Sequence, residues 1–109
     1  MTGFRQIDVQ RTRELLDTGA AQVVDIRDPL SYGQGHIPSA RHLTDSNVEE
    51  FKTSADKSRP LVVVCYHGIS SQGAAEYFSQ AGFQEVYSMA GGFEAWSHTF
   101  PELSERSGE

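Results

Sequence analysis

The chain carries one cysteine, Cys65, between two segments of opposite character. Leu-Val-Val-Val precedes it, and Tyr66, His67, Gly68, Ile69, Ser70 and Ser71 lead from it into an alanine-containing amphipathic stretch. A thiol at the end of a buried strand and just ahead of a helix faces unpaired backbone N–H groups and the positive end of the macrodipole. Both favour the thiolate, and they lower a thiol pKa from its usual value near ~8.5. Gly68 allows the loop to curl so that successive amides point inward as a nest. The chemistry expected is an anion held on or beside Cys65. The plain alternative is a small buried hydrophobe that happens to end a strand.

Two anions fit such a loop. A phosphate calls for a cysteine phosphatase, whose Cys-x5-Arg loop clamps two oxygens in the guanidinium fork. Here the sixth position after Cys65 is Ser71, and the loop has no lysine or arginine. A persulfide spreads a single charge over sulfur and can be held by amides alone. His67 is the only titratable cationic group of the loop. It either lowers the thiol pKa or lends only its backbone N–H, and the second reading is favoured because the nest does not need its ring.

The elements that position this loop can be read from period and caps. Asp8 caps a helix over "VQRTRELLDT", with Val9, Leu15 and Leu16 on one side and Gly19 at its end. "AQVVDI" reads as a short buried strand running through Asp25, Arg27 and Asp28 into a loop before Pro29. Ser46 and Glu49 stand at capping-box spacing ahead of a short helix in "SNVEEFK". "PLVVVC" is the clearest strand, with Pro60 at its start, where no ladder donor is lost. "SSQGAAEYFSQAG" is the clearest helix, with a serine cap, Ala74, Ala75, Phe78 and Ala81 facing inward, and Gly82 as terminator. "EVYSM" is a third strand, and "GGFEAWSHTF" a last helix stopped by Pro101. Phe93, Trp96 and Phe100 there read as core. Alternation of this kind predicts a small α/β fold, a central mainly parallel β-sheet covered by helices on both faces. Cys65 then lies at the carboxyl ends of the strands, where open α/β sheets place their reactive crevice.

Composition narrows the function classes. The 109 residues suit one domain, 1–109, with a core over about residues 4–100 and a polar, disorder-prone tail over 101–109. A chain of this size buries roughly 65% of its unfolded surface, enough for a core without disulfides or metal. Nine basic and fifteen acidic side chains give a net charge of −6 without a basic cluster, which argues against nucleic acid or an anionic membrane as partner. One cysteine permits no internal disulfide. The polar N-terminal segment reads as no signal peptide, and no segment approaches the ~18 apolar residues of a membrane span, so a cytoplasmic location is expected. The four histidines, His36, His42, His67 and His98, lack the paired spacing of a zinc site, so no metal or other cofactor is expected. His36 and Pro38 read as shaping a turn.

Three segments in order resemble one family. "VVDIRDPLSYGQGHIPSARHL" (Val23 to Leu43), "CYHGISS" and "GGFEAW" (Gly91 to Trp96) are similar to the N-terminal signature, active-site loop and C-terminal signature of the rhodanese domain, in its single-domain GlpE-type branch. The resemblance implies a thiosulfate sulfurtransferase. Cys65 would take a sulfane sulfur from thiosulfate, become a persulfide, and pass the sulfur to cyanide or to a thiol acceptor such as a thioredoxin-like protein. The amides of Tyr66, His67, Gly68, Ile69 and Ser70 would cradle the terminal sulfur, with the Ser70 and Ser71 hydroxyls close by. Asp25 and Arg27 would form a supporting ion pair, and release of sulfite before cyanide enters implies ping-pong kinetics. GlpE-type loops carry a lysine where Gln72 stands here, which implies a weaker grip on thiosulfate. A sulfur-carrier or binding module, and a cysteine phosphatase or arsenate reductase, are the alternatives.

Overall fold

In the computed structural model, which describes residues 3–106, strands and helices alternate: β1 (Arg5–Ile7), α1 (Val9–Asp17), β2 (Gln22–Asp25), α2 (Pro29–Gln34), β3 (Arg41–His42), α3 (Val48–Ser54), β4 (Leu61–Val64), α4 (Ser70–Gln80), β5 (Val86–Met89) and α5 (Gly92–Thr99). The strands form one sheet in the order β1-β5-β4-β2-β3, and every pairing is parallel. β4 lies at the centre. Its side chains alternate between two apolar clusters, Leu61 and Val63 on one face and Val62 and Val64 on the other. An unbroken apolar run is what two covered faces require. α1 and α5 close one face through Val9, Leu15, Trp96 and Phe100, while α3 and α4 close the other through Phe51, Ala75 and Phe78.

Local chemistry accounts for most boundaries. The Asp8 carboxylate accepts the Arg11 amide at 2.8 Å and caps α1. Pro60 opens β4 and accepts the Gln22 amide at 2.9 Å, losing no donor. Other boundaries depart from expectation. α2 replaces the predicted loop, with Asp28 as N-cap and Pro29 in its first turn; it buries no side chain, so it leaves no periodic trace. β1 and β3 are edge strands of three and two residues with little apolar content. The capping box does not form. Asn47 is the N-cap residue of α3, and its side chain turns back to the Thr44 amide and the His42 carbonyl. The serine cap of α4 is absent too, since the helix starts at Ser70 with Ile69 at the cap and no side-chain hydrogen bond there.

The tail is anchored as far as Glu105. His36 and Glu105 exchange backbone hydrogen bonds of 2.9 Å, Leu103 packs on the core, and the buried Trp96 indole donates to the Leu103 carbonyl at 2.8 Å. On the tail's side these bonds are made by backbone groups, which is why its polar side-chain sequence conceals them. The His36 turn is held by ring stacking on Tyr32, with centroids 3.8 Å apart, and by Nδ1 contact with the Tyr32 carbonyl at 2.8 Å.

Candidate active site

β4 delivers Cys65 directly to the carboxyl edge of the sheet, and α4 begins five residues later at Ser70. Between them Gly68 adopts φ +83°, the left-handed conformation that turns the loop back on itself. The turn aims two amides at one atom. The N–H groups of Gly68 and Ser71 both donate to Cys65 Sγ, each at 3.2 Å. Cys65 is buried, at 4% exposure. Burial pushes the thiol up, yet the hydroxyl and amide of Ser71 and the amides of Gly68 and His67 outweigh it, leaving the pKa below the ordinary thiol value. Thiolate therefore persists to lower pH than in a free cysteine and is lost as pH falls through the depressed pKa. The rate of iodoacetamide alkylation, followed against pH, is expected to reach its plateau below the pH needed by a model thiol near ~8.5.

The other loop residues divide clearly. The His67 ring turns outward to Glu94, Nδ1 to Oε1 2.8 Å, so only its backbone serves the sulfur. No amide of Tyr66, Ile69 or Ser70 bonds Sγ among the described residues. The Ile69 side chain is 73% exposed. Gln72 donates through Nε2 to the Gly68 carbonyl at 2.8 Å, so it braces the loop. Tyr66 walls a neighbouring pocket of about 350 Å³ together with Arg27 and Phe93, and its hydroxyl bonds Asp28 and Ser31 on α2. Those bonds, Tyr66 first and then the Ser31 hydroxyl and amide, hold the Asp28 carboxyl at about 2.

Asp25 and Arg27 meet as a buried pair. Arg27 Nε lies 3.0 Å from both Asp25 oxygens and Nη2 lies 2.7 Å from Oδ2, while the Arg27 amide donates to Oδ1 at 2.9 Å. Nη2 also donates to the Gly35 carbonyl at 2.7 Å, and the guanidinium lies over the rings of Phe93 at 4.3 Å and Tyr66 at 5.6 Å. Phe93 is thus only partly core and partly a cover for the cation.

Sequence reasoning left α5 out of the site. The amides of Phe93 and Glu94 donate to the carbonyls of Cys65 and Tyr66, at 2.7 and 3.1 Å. They can approach because Gly92, at φ +62°, has no side chain; a Cβ there would lie 2.3 Å from the Tyr66 carbonyl carbon and oxygen. Gly92→Ala is expected to lower stability by about 2–3 kcal/mol, measured as the shift of the urea midpoint. The paired glycines of "GGFEAW" were the available signal. Ser88 also went unread, a fully buried serine in β5. Among the described residues no group of three or more His, Cys, Asp or Glu is arranged to hold a metal ion, and no helix is long and apolar enough to cross a membrane.

A parallel sheet covered on both faces, with a hydrogen-bonded thiol at its carboxyl edge, is an α/β arrangement able to present a cysteine to a ligand. The chain belongs to the rhodanese-like domain family, whose model matches residues 8–99. Relatives include the thiosulfate sulfurtransferase GlpE of Pseudomonas paraeruginosa (strain DSM 24068 / PA7), 54% identical over 90% of this chain and 88% of its own length. That of Ectopseudomonas mendocina (strain ymp) is 50% identical over 100% of this chain and 99% of its own. Among solved structures, the rhodanese-like domain of the Anabaena sp. Alr3790 protein superposes with a TM-score of 0.81 at 28% identity, covering 94% of this chain and 79% of that one. A rhodanese-like domain protein from Staphylococcus aureus gives 0.81 at 24% identity, covering 96% of this chain and 100% of its own, and shows the fold.

Proposed function

We propose that the chain is a thiosulfate sulfurtransferase working through a persulfide on Cys65. The observation that carries the reading is the pair of amide donors on one sulfur at a helix start, with the one titratable cationic side chain of the loop, His67, turned away to Glu94. The activity named for relatives at about half identity over nearly the full chain supports it. The Cys65 thiolate attacks the outer sulfur of thiosulfate, the sulfur–sulfur bond of thiosulfate breaks, and sulfite leaves with the electron pair. Cyanide, or the thiolate of an acceptor such as a thioredoxin-like protein, attacks the outer persulfide sulfur and returns Cys65 as thiolate. For cyanide the product is thiocyanate. Tyr66, Ile69 and Ser70 supply the amides nearest the outer sulfur, Gly68, His67 and Ser71 hold the inner one, and Asp25 with Arg27 supports the wall. A protein acceptor is favoured by exposed Tyr66 and Ile69 on the loop itself. The setting is cytoplasmic in this reading, where thiol acceptors stay reduced.

A cysteine phosphatase is disfavoured because Ser71 occupies the arginine position and is fully buried. Intact mass before thiosulfate, after it, and after cyanide tests the proposal. The expected record is a gain of one sulfur atom, then its loss with thiocyanate released. An unchanged mass on a protein whose thiol still alkylates would overturn it.

A further inference from the structure

Ser88 is a polar residue in a place that has no evident need of one. It lies in β5, between the buried Met89 and the half-buried Tyr87, in the strand next to β4. It is fully buried, as is Ser71 in the first turn of α4. Their hydroxyl oxygens are 2.6 Å apart, and among the described residues neither hydroxyl has another hydrogen-bond partner in the protein, while the Ser71 amide donates to Cys65 Sγ at 3.2 Å.

A hydroxyl donates one proton and accepts at two lone pairs, so this pair has two protons to place. If Ser71 donated to Ser88, the Ser88 proton would be left without an acceptor in a dry interior, at the cost of an unmade buried hydrogen bond. If Ser88 donates to Ser71, that proton is satisfied and the Ser71 proton is left free for the Cys65 sulfur, which already lies 3.2 Å from the amide nitrogen of the same residue. Only a thiolate accepts it fully. We propose that Ser88 is a positioning residue: its hydroxyl donates to Ser71 Oγ and thereby aims the Ser71 hydroxyl at the Cys65 thiolate. The inference rests on the thiolate reading of Cys65 made above.

The charged groups around the thiolate do not compete for this role. On the β2 side the Arg27 guanidinium is taken up by Asp25. From the loop His67 turns to Glu94 of α5, and from α2 Asp28 is bonded by Tyr66 and Ser31. What favours the thiolate is hydrogen bonding from Ser71, Gly68 and His67. A chain of two hydroxyls is therefore able to influence it measurably.

The test is the pH dependence of iodoacetamide alkylation for the wild type, Ser71→Ala, Ser88→Ala and the double variant, with urea midpoints to verify folding. One cysteine makes the readout unambiguous. Ser88→Ala is expected to move the titration midpoint upward by about 0.5–1 unit, slowing alkylation roughly three- to tenfold below the midpoint. Ser71→Ala should move it further, and the double variant should match Ser71→Ala, since Ser88 acts only through Ser71. Ser88→Thr keeps the donor and is expected to retain the wild-type midpoint. An unmoved midpoint in Ser88→Ala, a double variant shifted beyond Ser71→Ala, or a threonine variant shifted as far as the alanine one would each overturn the proposal. Alkylation needs no sulfur donor. A protein that takes up no sulfur from thiosulfate but shows these shifts would refute the sulfurtransferase reading and leave Ser88's role standing.

Discussion

Cys65→Ser is expected to reduce thiosulfate-to-cyanide transfer to background, a loss of roughly 10³-fold or more, while leaving the fold in place. Serine fills nearly the same volume at a site with 4% exposure, so the two apolar clusters need not rearrange. What disappears is the anion. The amides of Gly68, Ser71 and His67 and the Ser71 hydroxyl all favour the charged form of the thiol and hold its pKa below the ordinary thiol value. An alcohol ionises far above that value, and the same donors cannot make it a comparable nucleophile. Thiocyanate formation alongside a urea melt separates the two effects. A melt within about 1 kcal/mol of wild type with turnover at background is the expected pair of results. Retained turnover would mean that another atom carries the sulfur.

Arg27→Met is expected to destabilise the domain by about 3–5 kcal/mol, a large share of what a domain of this size possesses. Asp25 has no exposure, and three of its four hydrogen bonds come from the guanidinium. Methionine replaces the stem but leaves the carboxylate buried with one backbone amide. The same change frees the Gly35 carbonyl and uncovers Phe93 and Tyr66, so damage reaches the pocket wall as well. Urea denaturation of Arg27→Met, Asp25→Leu and the double variant checks the argument. The double variant should be more stable than the arginine single variant, because removing both charges removes the desolvation cost with them. Simple additivity of the two losses would show that the pair is not the energetic unit described here.

Much of this architecture is visible in the residues. The four-residue apolar run before Cys65, the Asp8 cap and the alternation of short apolar runs with amphipathic stretches predict a parallel sheet with two covered faces, and the structure has it. The loop was legible only in part: the strand, Gly68 and the helix start place amides on the sulfur, but those are the Gly68 and Ser71 amides, whereas the sequence points to Ser71 acting through its hydroxyl. Elements without an apolar signature were not legible. Arg5–Ile7 and Arg41–His42 are edge strands whose identity comes from backbone pairing with β5 and β2. Pro29–Gln34 buries nothing, and its role is to present Asp28 and Ser31 to Tyr66. Ser46 and Glu49 matched a cap pattern locally, but Asn47 bonds Thr44 and His42, and that set the turn. Ser88 and Gly92 act across long stretches of chain, on a helix and a loop more than fifteen residues away, and no local window contains both ends of such a contact.

The bonds from α5 to the cysteine loop also have a consequence in time. The thiol is in the sixty-fifth position, whereas the amides that brace its loop belong to Phe93 and Glu94, and β1 pairs with β5 at the edge of the sheet. A ribosome making this chain therefore releases the cysteine well before the groups that shape its surroundings. Until α5 has been made and docked, the cysteine loop lacks the two amides that fasten its carbonyls, so its final shape waits on the meeting of segments far apart in the chain.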